Sequence, residues 1–355
     1  MQTNRWMIYG AYGYTGRLIA AAVRERGLTP LLAGRDAGRV EALAAEIGLE
    51  YRVFDVSQPQ QARLALAGVA VVAHCAGPFS ATSEAMINAC LATGSHYVDI
   101  TGEIGVFEAA HARDRVAREA GIVVCPGVGF DVIPTDCLAA CLQEALPDAV
   151  TLTLGFDTDG QLSPGTSKTA LEGMRVGGQV RRKGRIVGVP LGWKRRRINF
   201  GRGERPAVTI PWGDISTAFH TTGIPNIEVY MAAPSGVGWA MRLLNPCRPI
   251  FASRRVQGWL ARRIEAKVQG PSAAFRRQHR TWVWGEARSR SGAVVTARVE
   301  TANPYDVTVE GVLLAVEHLL VGESAPGFIT PSRLLGNRCV EQLRGSGTIE
   351  IDTTQ

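Results

Sequence analysis

Ile8-Tyr9-Gly10-Ala11-Tyr12-Gly13-Tyr14-Thr15-Gly16-Arg17-Leu18-Ile19 is the stretch whose reading decides the fold. The apolar run Trp6 to Tyr9 reads as a short buried strand. Three glycines follow at G-x-x-G-x-x-G spacing, and Leu18, Ile19, Ala22 and Val23 then recur at helical spacing. A strand, a tight turn and a helix in that order aim backbone N–H groups, and the positive end of a helix dipole, at a phosphate. Gly10 permits the turn, Gly13 lets a pyrophosphate approach the backbone, and Gly16 lets the helix pack closely on the strand. Tyr12, Tyr14 and Thr15 lie in the same turn. A glycine triplet alone is equally an ordinary surface turn. Its place after a strand and at the opening of a helix makes nucleotide binding the reading.

The tip of the second strand selects the nucleotide. Leu31-Leu32-Ala33 ends in Gly34-Arg35-Asp36. An acidic residue at that tip would accept from a ribose 2′-hydroxyl, as NAD sites require. Arg35 stands there instead, and a guanidinium suits a 2′-phosphate through bidentate, charge-assisted hydrogen bonds. The expected cofactor is therefore NADP(H). The alternative makes Arg35 a solvated charge and gives Asp36 the ribose, or only the cap of the next helix.

Outward from this point the first half alternates apolar strands (6–9, 30–33, 50–54, 69–75, 96–100, 121–125) with amphipathic helices (15–26, 36–47, 58–66, 81–93, 104–119). This pattern predicts a parallel sheet covered on both faces, doubly wound by right-handed crossovers, with ligands at the carboxyl ends of its strands. At the third tip Asp55, followed by Val56, either accepts from the adenine amine or caps a helix. At the fourth, Cys75-Ala76-Gly77-Pro78-Phe79 gives small residues on which a ribose or nicotinamide can lie. At the sixth, Gly127 and Gly129 suggest a bend into a helix from about 132 to 146.

The 355 residues suit two domains; 46% hydrophobic and 20% charged residues exclude general disorder. No run of eighteen apolar residues exists, which predicts no membrane span, and the short lead into the first strand leaves no room for a signal peptide. Seven scattered cysteines, with no C-x-x-C, argue against a disulfide framework or a metal cluster, and point to the cytoplasm. Cys90, Cys137 and Cys141 fall in apolar helical stretches. The net charge of +7 is concentrated in clusters such as Arg181-Arg182-Lys183 and Lys194-Arg195-Arg196-Arg197. Without aromatic interleaving or a zinc or helix-turn-helix pattern these clusters do not predict nucleic-acid binding; attraction of an anionic substrate, a carrier protein or a lipid surface is the milder inference.

The glycine turn, Ala33-Gly34-Arg35, Cys75-Ala76-Gly77-Pro78-Phe79, Tyr97-Val98-Asp99-Ile100-Thr101-Gly102-Glu103 and Pro126-Gly127-x-Gly129-Phe130-Asp131-x-x-Pro134-x-Asp136 together resemble the saccharopine dehydrogenase-like oxidoreductases, in particular the bacterial branch with the trans-acting enoyl reductases. The resemblance is strong over residues 5–140 and patchier beyond. It implies an NADP-binding Rossmann domain with a second α+β domain inserted before the C-terminal helices, and hydride transfer to or from C=N or C=C bonds. It fixes the cofactor better than the reaction.

The second half carries β-like patterns at 152–156, 207–212, 226–232, 281–288 and 293–301, in an order that suggests a mainly antiparallel sheet. The expected organisation is a Rossmann domain of residues 1–147 plus about 305–355, with a substrate and dimerisation domain of 148–304. Three residues are candidates for the proton. Lys168 follows a helix cap at Ser163 or Thr166 and is equally a solvated lysine. His220 lies in Trp212 to Pro225, a mixed stretch read as a pocket-lining loop that also holds Asp214; a single histidine is more often structural. Asp131 follows the glycine bend and could simply cap a helix. Between Trp239 and Val268 the chain is basic and amphipathic, suited to an anionic membrane, to an acyl carrier protein, or to packing on its own domain.

The expectation is an NADPH-dependent, metal-free oxidoreductase reducing an activated C=C bond of a polyketide or lipid intermediate, small or carrier-bound. It is expected to be a cytoplasmic homodimer with a peripheral membrane contact open to it. A saccharopine-type C=N oxidoreductase and a non-catalytic, membrane-peripheral NADP-binding protein are the alternatives.

Overall fold

Strands β1 (Trp6–Tyr9), β2 (Leu31–Gly34), β3 (Tyr51–Val53), β4 (Val71–His74), β5 (His96–Asp99) and β6 (Val123–Cys125) form in the predicted places. Between them lie α1 (Tyr14–Glu25), α2 (Ala37–Ile47), α3 (Pro59–Leu66), α4 (Phe79–Thr93), α5 (Ile104–His111) and α6 (Asp114–Glu119). In this computed structural model residues 5–158, 161–247, 253–322 and 324–354 are described. The chain divides into two compact units, Met1–Phe130 with Thr308–Leu335, and Asp131–Val307 with Gly336–Gln355.

The first unit is a parallel sheet in the order β3-β2-β1-β4-β5-β6, extended by a two-residue strand, Gly327–Phe328, beside β6. All side chains of β1, β2 and β4 are buried, as a sheet covered on both faces requires. In α1 the buried positions Gly16, Ile19, Ala20 and Val23 make one stripe. Gly48 and Gly94 end α2 and α4 in the left-handed conformation. The strand order reverses at β1 and β4, so the crevice beyond their carboxyl ends is where such a sheet holds its ligand. The helix predicted over 104–119 is broken after His111. Asp114, in the first turn of α6, accepts from the Phe328 N–H at 2.8 Å, so the break lets the chain receive the added strand.

The second unit is a mixed sheet. Its strands are β7 (Ala149–Thr158), β8 (Gly178–Arg182), β9 (Arg185–Val189), β10 (Arg195–Asn199), β11 (Glu204–Thr209), β12 (Asn226–Ala232), β13 (Thr281–Ser289) and β14 (Val294–Thr301). The order is β10-β11-β12-β7-β13-β14, closed by the C-terminal strand Glu350–Thr354; β12 and β7 pair in parallel and the rest of this path is antiparallel. Strands β8 to β10 were not predicted, because their arginines hid the alternation. Those charges are used internally. Arg182 and Lys194 meet buried Glu228, Arg196 and Arg288 meet buried Glu286, and Arg202 and Arg205 meet buried Asp157.

Helices of this unit are α7 (Ile133–Ala145), α8 (Pro164–Val176), α9 (Asp214–Thr222), α10 (Val237–Leu243) and α11 (Arg254–Lys267), among others. The first ten residues of α7 are all buried, Cys137 and Cys141 included. The helix packs on β13, β14 and α9, and for that reason belongs to the second unit although the expected boundary lay at 147. The tail also differs from expectation. Residues 308–335 return to the first unit, but 336–355 stay with the second because the last strand pairs with β14. The stretch 212–225, predicted as a loop, is largely α9, begun by Asp214 in its first turn and stopped by Gly223.

Candidate dinucleotide site

Gly10 holds φ at +82°, and a β-carbon there would sit 2.8 Å from the Ala76 nitrogen and 2.9 Å from the Cys75 carbonyl carbon. Only glycine lets the tip of β1 close against the tip of β4. Its N–H and that of Ala11 both donate to the Ala33 carbonyl, at 2.8 and 3.1 Å, and the Gly13 N–H donates to the Gly10 carbonyl at 3.0 Å. A β-carbon on Gly16 would lie 2.9 Å from the Ala11 α-carbon. Gly13 is the N-cap of α1 and brings no side-chain acceptor, and the first turn, with Tyr14 and Thr15, carries no acid. A positive helix end without its own anion, beside a turn that admits no β-carbon at Gly10 or Gly16, fits a pyrophosphate.

Gly34 is covered by Tyr12; a β-carbon there would meet the ring at 2.5 Å. The Arg39 guanidinium also lies over that ring, 4.4 Å from its centroid. Asp36 is the N-cap of α2, its Oδ1 accepting from the Arg39 N–H at 3.1 Å. Of the two readings of this tip the structure gives Asp36 the cap. Two cations, Arg35 and Arg39, are left exposed at the end of β2. Arg39 was missed in the sequence; its signal was its place one helical turn beyond Arg35.

Asp55 is half-buried and its Oδ1 accepts from the Ser57 N–H at 2.9 Å, a local turn bond; the N-cap of α3 is Gln58, so Asp55 does not cap that helix. The Ser57 N–H and hydroxyl hold its carboxylate below the usual range, with the Arg35 charge adding to this. The Val56 side chain is in the core and its N–H donates to the Tyr9 hydroxyl at 3.2 Å, so Val56 serves the third tip through its backbone.

The fourth tip is built on buried polar groups. His74 is fully buried, its Nε2 2.9 Å from the Thr82 hydroxyl, which donates to the Ala76 carbonyl at 2.7 Å. Its Nδ1 has no hydrogen-bond partner among the described residues. Burial lowers its pKa to about 3, so the ring is neutral. This chain of bonds fixes the segment Cys75-Ala76-Gly77-Pro78 against Gly10. Cys75 is no nucleophile, since burial pushes its thiol up to about 12. Buried Asp99, at the end of β5, accepts from the Tyr97 hydroxyl at 2.6 Å and from the N–H groups of Thr101 and Gly127 at 3.0 and 2.8 Å. Burial raises its pKa to about 6, against the pull of those bonds. Gly127, at φ +78°, is thus held by Asp99. Glu103 accepts from Phe79 and Ser80 N–H at 3.0 and 2.7 Å, capping α4 from the next loop.

The proton candidates all lie in the second unit. Asp131 is half-buried, and its carbonyl accepts from Trp212 Nε1 at 2.9 Å. Near it α7 and α9 pack together, with the Thr221 hydroxyl donating to Asp136 at 2.6 Å and Thr135 2.6 Å from Asp214. Burial, then the charges of Asp136 and Asp131, push Asp214 well above the usual carboxylate range. The Thr135 hydroxyl also faces the Val132 carbonyl at 3.0 Å. His220 is on the last turn of α9, its ring edge-on to Phe219. Lys168 stands apart on α8, paired with Glu265 of α11 at 3.0 Å. Among the described residues no group of three or more potential ligands could hold a metal ion.

Residues 6–125 match the family described as the saccharopine dehydrogenase NADP binding domain. The chain is 24% identical over 204 residues to a saccharopine dehydrogenase-like oxidoreductase of Mus musculus, covering 50% of this chain and 47% of that protein. It is 31% identical over 140 residues to a trans-acting enoyl reductase of Mycobacterium leprae (strain TN), covering 37% of this chain and 33% of that one. The matched region thus spans about half or less of the length of these relatives. Among solved structures, apo saccharopine dehydrogenase (L-Glu forming) from Saccharomyces cerevisiae superposes with a TM-score of 0.67 at 13% identity, over 99% of this chain and 100% of that one. The fold is therefore shared.

Proposed function

We propose that this chain, whose first unit is a saccharopine dehydrogenase NADP-binding domain, is an NADPH-dependent reductase acting on an activated C=C bond. The observation that carries the cofactor reading is the division of labour at the tip of β2. Asp36 is committed to the cap of α2, and Arg35 and Arg39 stand exposed beside it. Two guanidiniums suit the 2′-phosphate of NADPH, and the one carboxylate beside them already accepts from the α2 backbone.

The residues divide into three tasks. The turn Gly10 to Gly16 and the start of α1 would hold the pyrophosphate. Tyr12, Arg35 and Arg39 would hold the adenosine 2′-phosphate end. The segment Cys75 to Pro78, with Gly127, would bed the nicotinamide half, and its backbone is fixed by His74, Thr82 and Asp99. Bound NADPH supplies a hydride, and the protein orients it and excludes water. For the accompanying proton His220, on the last turn of α9, stands ahead of Lys168, whose ammonium is paired with Glu265.

The C=C assignment rests on the mycobacterial relative's name and is the finer part of the proposal. It is tested by following NADPH oxidation with α,β-unsaturated acyl thioesters and, separately, with imines formed from an amino acid and a keto acid. Turnover of the thioesters alone supports it. Turnover of the imines alone moves the chain to C=N chemistry, the reading favoured by its saccharopine dehydrogenase-like relative. His220→Ala is expected to lower turnover at least about tenfold without weakening NADPH; an unchanged rate removes His220 from the mechanism.

A further inference from the structure

Helix α10 is fixed on its inner side and left bare on its outer one. A β-carbon on Gly238 would meet the Arg195 side chain at 2.7 Å and Val208 at 3.3 Å, so this helix face lies directly on β10 and β11. Just past its end, Asn245 accepts from the Leu191 N–H at 2.9 Å and donates to the Leu191 carbonyl at 3.2 Å. The opposite face carries Trp239, Leu243 and Leu244 at 57, 76 and 37% exposure. Trp239 and Leu243 are four residues apart and so are neighbours on the helix surface. One exposed leucine is ordinary; an indole and two leucines within two turns make a patch.

The rim of that patch is of one sign. The Arg195 guanidinium lies over the Trp239 ring at 4.1 Å, and Arg242 is exposed on the same helix. The sequence from Val237 to Val268 holds seven cations and a single acid, Glu265. Within this stretch residues 248–252 lie outside the described residues, as does the side chain of Arg254. Elsewhere in the unit the arginines neutralise buried carboxylates. Here, among the described residues, Arg242, Arg255 and Arg262 have no carboxylate within 4.0 Å. The next helix, α11, repeats the chemistry: Gln257 and Glu265 engage α8, while Trp259 is 47% exposed under the Arg263 guanidinium at 4.3 Å.

A second copy of the chain would be a poor occupant, because an isologous contact on this face brings arginines against arginines. An anionic bilayer complements both parts of the patch. Its surface potential attracts the rim, and its headgroup zone is where indole rings settle and leucines enter the acyl boundary. We propose that the α10 face, Trp239, Leu243 and Leu244 within an arginine rim, docks the protein on an anionic phospholipid surface. No described helix is long and apolar enough to cross a membrane, so the contact is with one leaflet. The proposal does not depend on the reductase reading.

The test is co-sedimentation of the full chain with vesicles of phosphatidylcholine alone and of phosphatidylcholine with phosphatidylglycerol, at low and at physiological salt. The expected result is binding to the mixed vesicles only, weakening with salt. Trp239→Ser with Leu243→Ser should lower it by about tenfold or more, with NADPH affinity unchanged as the sign of an intact fold. Absence of binding to the mixed vesicles at low salt, or equal binding by the double variant, overturns the proposal. So does a wild type that ignores vesicles but forms a dimer, or binds an acidic carrier protein, through these two side chains.

Discussion

Asp36 and Arg39 show how a single hydrogen bond gives a residue a structural role that residue types leave open. With the Asp36 carboxylate on the Arg39 N–H, its expected role is mechanical. Asp36→Ala should lower stability by about 1 kcal/mol, as loss of an N-cap does, while leaving NADPH affinity unchanged; thermal melts and a binding titration check both halves. The two buried titrating groups behind the site make a prediction of opposite signs. His74 falls from 6.5 to about 3 on folding, so it stabilises at neutral pH and loses that contribution as pH drops through this window. Asp99 rises from 3.8 to about 6, so its contribution is complete below about pH 4 and is lost as pH climbs through 6. The shifts correspond to roughly 5 and 3 kcal/mol respectively, by 1.36 kcal/mol per unit. Between pH 6 and 4 they oppose each other. Denaturant midpoints compared at pH 7 and pH 4.5 should therefore show Asp99→Asn more acid-sensitive than wild type, and His74→Gln less so. The same ordering for both variants would contradict the assignment.

At the scale of elements, β1, β2 and β4 were legible because each is a short, fully buried apolar run. Gly10, Gly48 and Gly94 ended β1, α2 and α4 where the pattern said they should. What the pattern could not carry was the pairing of elements distant in sequence. Glu103 caps α4, although it lies twenty-four residues beyond Phe79. Glu103→Ala should cost about 1–2 kcal/mol, more than Glu103→Gln, read as loss of thermal stability; equal losses would mean the carboxylate charge at the helix start is irrelevant. In the second unit β8 and β10 were hidden for a related reason. Arg181 and Arg196 look like surface charge in a one-dimensional reading. Yet Arg181 is buried, donating to the Ile215 and Gly184 carbonyls at 2.7 and 2.8 Å, and Arg196 pairs with Glu286, ninety residues away. Likewise Trp212 to Pro225 read as a loop because its apolar residues are few. The helix there is fixed from outside, by Thr135, Asp136 and Arg181.

At the scale of the whole chain, the cofactor half of the candidate site was legible as a set of strand tips. The surroundings of the three proton candidates in the second unit were not, since Lys168, His220 and Asp131 are placed by partners that only the fold supplies. The division into units depended on the last strand, Glu350–Thr354, which covers the edge of β14. Truncation after Arg344 would bare that edge. The shortened chain is expected to self-associate on size exclusion and to melt at a lower temperature, whereas a monodisperse, equally stable product would show that the strand contributes little. The central claim, that the first unit binds NADP(H) through the glycine turn and the arginines of the β2 tip, is tested most directly by titrating the protein with NADPH and NADH. Wild type, Arg35→Ala and the double variant with Arg39→Ala would be compared by nicotinamide fluorescence. The account predicts strong preference for NADPH in wild type, reduced in the single variant and lost in the double, with NADH affinity little changed. Equal affinity of wild type for the two cofactors, or a preference for NADPH that survives the double substitution, would contradict it.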